Sequence, residues 1–166
     1  MRQIGKQILT LTKRYAVLLC LVLAAMAAPA AAQSKGTVVD FLTGVAISGY
    51  DPVSYFTEPE PLLGSALYEY EWNGVPWYFA TQANRDIFIH APEVYAPLFG
   101  GHCAMSMARG FLSDSNPTIY RIVEDRLVLF YSVGNREAFD IARPVMFTRA
   151  VTNWQALPEH PARAEN

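Results

Sequence analysis

LYEYEWNGVPWYF, residues 67 to 79, decides the fold. From Leu67 to Trp72 large apolar and acidic residues alternate, as in a strand with one face buried and one wet. Asn73-Gly74 is a two-residue turn signal, since both positions of such a turn favour residues that tolerate positive φ. Val75 to Phe79 then returns as the partner strand, leaving Glu69 and Glu71 on the solvated side.

A second hairpin is expected from Ile119 to Val123 and Leu127 to Tyr131 on either side of Glu124-Asp125-Arg126. Upstream, Gly44 to Ser48 reads as a short strand. In GYDPVSYF (49–56) the Asp51-Pro52 pair favours a turn that sends Tyr50, Tyr55 and Phe56 inward. Thr81 can cap a helix with Ala83, Ile87, Phe88 and Ala91 inside and Asn84, Arg85 and Asp86 in water. Pro92 suits the first turn of another short helix, carrying Tyr95 and Leu98 and broken by Gly100-Gly101. A third short helix is expected from His102 to Arg109, with Gly110 after its end. Asn135 caps a helix through Ile141. The remainder to Trp154 is an amphipathic helix with Val145, Phe147, Val151 and Trp154 inward. Together these give an α+β fold, a small antiparallel sheet of two hairpins covered by short helices. No long linker, repeat or low-complexity run is read.

The ends have a different character. Arg2, Lys6, Lys13 and Arg14 precede an apolar run, Ala16 to Ala28, and Ala30-Ala31-Ala32 provides small residues for cleavage. Residues 1–32 therefore read as a signal peptide, with a retained anchor as the alternative, and the product is expected in the periplasm or outside the cell. Cys20 lies inside the apolar run, where a lipoprotein cysteine would not. Residues 33–43 are expected as a flexible lead-in, 44–157 as the domain and 158–166 as a disordered tail.

The whole chain has 13 basic and 15 acidic residues. Four of the basic ones fall in residues 1–32, leaving nine against fifteen, a net charge near −6. That balance argues against nucleic acid and anionic membranes as partners, and no stable membrane insertion is expected after cleavage. About 134 residues with three tryptophans and nine phenylalanines can form one core without disulfides.

GGHCAMSMARG (100–110) is the chemical focus. Without Cys20, Cys103 has no partner for a disulfide, so it is buried or functional. Thiolate, thioether and imidazole suit a copper-type ion, and Cys103 and Met107 are one helical turn apart, while in a strand 103, 105 and 107 would share a face. The candidate metal set is Cys103, His102, Met105 and Met107, with His90 or Met146 joining from elsewhere. Against this, Met105 and Met107 can simply fill gaps in an aromatic core. A nucleophilic thiol at a helix start, with His90 as base, is the minor option. Asp51 closes a turn or ligates. No catalytic set and no cofactor fingerprint other than a possible copper ion is read.

GVAISGYDPVSYF, WNGVPWYFATQANRDIF, APEVYAPLFGGHCA and the late aromatic-ended helix together resemble the secreted bacterial YHS-domain proteins, in order, from about Val45 to Trp154. The resemblance implies metal handling by analogy and no established activity. The thiolates of that family's metal-associated branch are absent: Ser54 stands at the first, and Ala80 with Ala83 or Asn84 at the others. The secreted branch keeps a Gly-Gly-x-Cys-Ala pattern, which supports Cys103 but not His102, Met105 or Met107. The expected function is an exported, non-enzymatic domain that binds a soft metal ion through Cys103 and nearby His/Met. The alternative is a protein-interaction or structural module with Cys103 buried and inert.

Overall fold

The computed structural model describes residues 35–159. The expected signal segment with its cleavage site, and residues 160–166 of the expected tail, lie outside the described residues. Among the described residues the fold is α+β, with two antiparallel two-stranded sheets and six helices. Strands β1 (Ser65–Trp72) and β2 (Val75–Phe79) pair across a turn in which Asn73 and Gly74 have φ of 53° and 74°. Strands β3 (Asn116–Val123) and β4 (Arg126–Phe130) pair across Glu124 and Asp125, with φ of 51° and 58°. Both turns thus have left-handed backbone at their two central residues, the geometry whose twist matches flanking strands.

Helix α1 spans Ser54–Thr57, α2 Gln82–His90, α3 Pro92–Tyr95, α4 Ala104–Ala108, α5 Val133–Ile141 and α6 Arg143–Ala156. Thr81 caps α2, its hydroxyl accepting from the Asn84 N–H. Ser132, not Asn135, caps α5 and accepts from the Asn135 N–H. Both residues have capping side chains, but the hydroxyl lies three residues earlier, where it can reach that free N–H, and this releases the Asn135 side chain.

Other local expectations change. Gly44–Ser48 is not a strand: Val39 and Ala46 make one isolated bridge, and Ile47–Gly49 forms a 3-10 turn with φ of 43°, 54° and 79°. On α2 the inner face is Asn84 and Phe88, whereas Ala83 and Ile87 are exposed. Val145 on α6 is 53% exposed, because the packed face runs through Met146, Phe147, Ala150, Val151 and Trp154. Leu98 belongs to a second 3-10 turn, Leu98–Gly101, not to α3.

The described part of the lead-in is fastened. Lys35 N–H donates to Pro158 O (2.9 Å), its ammonium pairs with Glu159 (2.5 Å), and Val38 N–H donates to Gly100 O (2.8 Å). Gly100 has φ of +59°, and a Cβ there would enter the Gly36 carbonyl. Gly100→Ala is therefore expected to lift this strap and cost about 1–3 kcal/mol, seen as a lower melting temperature with fast amide exchange at Val38.

The architecture contains a repeat that the sequence reading does not find. β1, β2 and α2 (65–72, 75–79, 82–90) recur as β3, β4 and α5 (116–123, 126–130, 133–141) with the same lengths, a constant offset of 51 and a register irregularity at the same place. The 3-10 turns at Ile47–Gly49 and Leu98–Gly101 correspond too. In sequence GYDPVSYF (49–56) lies over GHCAMSMA (101–108), shifted to an offset of 52 because the second 3-10 turn has four residues against three, and FATQANRDIF (79–88) lies over FYSVGNREAF (130–139) at 51. Little is shared beyond Gly, Ser, Asn-Arg and two Phe, so side-chain similarity hides what backbone geometry makes plain.

Each unit has its own core. One gathers Ile47, Val53, Tyr55, Trp77, Phe79 and Phe88. The other gathers Phe99, Cys103, Met105, Met107, Phe130 and Phe139. Strand β4 serves both: Leu127 and Leu129 belong to the first, Val128 and Phe130 to the second. Its four consecutive residues have no exposed surface, the pattern of a strand buried on two faces.

Candidate functional site: matched cradles at Asp51 and Cys103

Asp51 has no exposed surface, so its carboxylate must find donors inside the protein. Oδ1 accepts from Val53 N–H (2.9 Å), closing the turn anticipated from Asp-Pro. Oδ2 accepts from Ala80 N–H (2.9 Å) and the Asn84 side-chain amide (2.6 Å). Ser54 is buried beside it, its hydroxyl donating to Asp51 O (2.7 Å) and accepting from Leu62 N–H (2.9 Å). Ser54, Ala80 and Asn84 are thus brought together, as members of a closed hydrogen-bond network rather than as ligands. Asn84, expected in water, is one of its donors.

Cys103 stands in the corresponding place of the second unit. Asp51 N–H donates to Leu62 O (2.8 Å), and Cys103 N–H donates to Ser113 O (2.9 Å). Ala80 corresponds to Tyr131 and Asn84 to Asn135, and both approach Cys103 as their counterparts approach Asp51. The Asn135 amide lies 3.5 Å from the sulfur. Burial pushes the thiol up, but hydrogen bonds from the Ser106 side chain and N–H, the Tyr131 N–H and the Asn135 amide outweigh it. The net effect holds Cys103 below its ordinary value of 9.0. Ser106 is itself held by the Ser113 hydroxyl (2.8 Å). Cys103 has no exposed surface, so any agent reaches the sulfur only through local opening.

The other anticipated ligands have plainer surroundings. Met105 and Met107 are 8% and 1% exposed and occupy the positions of the core residues Val53 and Tyr55 in the first unit. They share one buried cluster with Cys103. His102 corresponds to Tyr50, and its ring packs 6.3 Å from Trp154 of α6 rather than with the Cys103 donors. His90 Nδ1 is 2.6 Å from Asp86 O at the exposed end of α2. Met146 packs on the cluster from α6. Among the described residues no three His, Cys, Asp or Glu side chains are placed to hold a metal ion. Glu69 and Glu71 lie on the exposed face of β1.

Burial lowers the His102 imidazole below its ordinary value of 6.5, against upward pulls from the Ser113 backbone, the Asp114 carboxylate and the Gly36 backbone. The folded chain thus prefers the neutral ring. Its contribution to stability is complete above pH 6.5 and is lost as the pH falls from there through the folded value. Denaturant midpoints between pH 7 and pH 5 are expected to fall more steeply for the parent than for His102→Gln.

The signal that finds this site in sequence is the repeat itself: Gly-x-Asp-x-x-Ser against Gly-x-Cys-x-x-Ser, each followed by Phe-x-(Thr/Ser)-x-x-Asn-Arg. It names Asn135, Tyr131 and Ser106, which composition and spacing overlook.

Among the described residues no helix is long and apolar enough to cross a membrane. No family model matches the chain, and searches of curated proteins and of solved structures likewise return no match.

Proposed function

We propose that this chain is an exported, non-enzymatic domain of the YHS type whose working group is Cys103, kept as a thiolate to take one small, soft partner. The carrying observation is the donor set at its sulfur: the Tyr131 N–H and the Asn135 amide sit where the first unit places donors for a carboxylate. A site arranged for a negative atom favours the thiolate, and a thiolate binds soft cations and reacts with soft electrophiles. A copper-type ion fits the class, with Met107 one helical turn away, its N–H donating to Cys103 O (2.9 Å), as a second sulfur.

The test uses Cu(I) added anaerobically in the presence of a competing chelator. The full chain is expected to retain about one equivalent more than Cys103→Ala, a difference that follows from the one thiolate the substitution removes. Equal, weak competition by both proteins contradicts soft-ion binding.

The second reading is an interaction or structural module with an inert cysteine. It is favoured by Met105 and Met107 standing at the core positions of Val53 and Tyr55, and by the sulfur's complete burial. In that case Cys103→Ala changes stability alone.

A further inference from the structure

The two units hold different groups at one position. In the first, Ala80 N–H and the Asn84 amide bind a carboxylate oxygen; in the second, Tyr131 N–H and the Asn135 amide meet a sulfur. The first cradle is a direct record of what this arrangement accepts: a CH2-linked XO2 anion. A cysteine carrying two oxygens on sulfur, CH2–SO2−, is the sulfur counterpart of the aspartate side chain, with the same charge and branching.

We propose that Cys103 is a peroxide-modified site, at which the sulfur is oxidised in two steps to the sulfinate and then takes the donors that Asp51 takes in the first unit. The inference rests on the thiolate reading of Cys103. In the first step the thiolate attacks one oxygen of hydrogen peroxide; the O–O bond breaks, an S–O bond forms, and hydroxide leaves, giving the sulfenic acid. In the second the sulfenate attacks another peroxide molecule; a second S–O bond forms and, after proton transfer to the departing hydroxide, water leaves and the sulfinate remains. Sulfur gives up two electrons in each step, and one peroxide is reduced each time.

Two features direct the product. Cys103 is the only free cysteine among the described residues, so no neighbouring thiol in them diverts the sulfenic acid into a disulfide. The donors already point at the sulfur, from a backbone N–H, a side-chain amide and the Ser106 hydroxyl, so partners for the added oxygens are in place around it. The twin cradle, with a carboxylate in place, is independent of anything about the cysteine itself.

The full chain is treated with hydrogen peroxide under native conditions and mapped by mass spectrometry. The Cys103 side chain, resolved by fragmentation from Met105 and Met107 in the same peptide, is expected to gain two oxygens, about 32 Da, and to stop there, whereas Asn135→Ala loses that plateau. In a second arm, Cys103→Asp is expected to melt several degrees above Cys103→Ala at pH 7, because the aspartate adopts the role of Asp51. A Cys103→Asp chain that melts below Cys103→Ala, or a sulfur that stays reduced or runs straight to three oxygens while the chain is folded, overturns the proposal. The failures are separable: a Cys103 that titrates as an ordinary thiol removes the thiolate reading and this one together. A low-titrating Cys103 without a two-oxygen product removes the sulfinate alone.

Discussion

Asp51→Ala is expected to destabilise the protein by about 3–5 kcal/mol, the largest loss of any single polar substitution considered. The substitution removes one acceptor and strands three donors, the buried Val53 N–H and the part-buried Ala80 N–H and Asn84 amide, around a side chain that has no exposed surface. Each stranded donor costs roughly 1–3 kcal/mol when water cannot replace the partner, and the three share one cavity, so the sum is not additive. The carboxylate also joins the loop at 51–54 to the junction between β2 and α2, and its loss uncouples the two. Against a total stability of about 5–15 kcal/mol this is roughly a fifth or more. Asp51→Asn keeps an acceptor but turns an NH2 toward at least one donor, and is expected to lose less. Denaturant unfolding of the three proteins checks both the size and the order.

Phe88→Ala is expected to cost about 3–5 kcal/mol, through lost apolar burial and a cavity that the hairpin is too constrained to close. Phe88 has no exposed surface, and the rings of Phe79, Trp77, Trp72 and Tyr70 lie with centroids 5.1, 5.3, 5.7 and 6.5 Å from its own. Its counterpart Phe139 has one ring pair among the described residues, with Phe130 at 5.2 Å, in a cluster that also holds Cys103, Met105 and Met107. Aromatic pairs contribute roughly 0.5–1.5 kcal/mol beyond area, so Phe139→Ala is expected to cost less than Phe88→Ala. Methionines are flexible enough to fill part of the space Phe139 leaves, which widens the difference. Equal losses would show that the two cores respond alike despite their composition.

Much of the architecture is legible from residues 67–79 outward, because turn chemistry and strand alternation are local. Asn73-Gly74 has the φ values its residues favour, and Tyr68, Tyr70 and Trp72 pack inward while Glu69 and Glu71 face water. Thr81 caps its helix as its side chain allows. Expectations fail where tertiary partners override local preference. Gly44–Ser48 looks strand-like, but Ile47 and Ser48 are held at positive φ beneath the hairpin. Asn84 looks like a solvated helix residue until Asp51, 33 positions away, is seen to need its amide.

The site is legible only in part, for the same reason. Cys103 stands out in the sequence as a lone thiol beside glycines. The residues that give it a chemical character, Ser106, Tyr131 and Asn135, are unremarkable until the fold brings them to the sulfur. His102, Met105 and Met107 attract notice by type, yet their counterparts Tyr50, Val53 and Tyr55 show that these positions in the repeat are used for packing. The repeat joins the two levels: it makes Cys103 comparable with Asp51, whose environment is that of an anion.

The most direct test is the titration of Cys103 in the folded chain. Cysteine labelled with 13C at Cβ, with the Cys103 resonance identified by its absence in Cys103→Ala, reports the thiol-to-thiolate step without chemical access to the sulfur. A step below the ordinary value of 9.0, moving up in Asn135→Ala, is the predicted result. A step at or above 9.0 that ignores Asn135→Ala would show the sulfur to be a neutral packing atom, and would contradict the anion cradle.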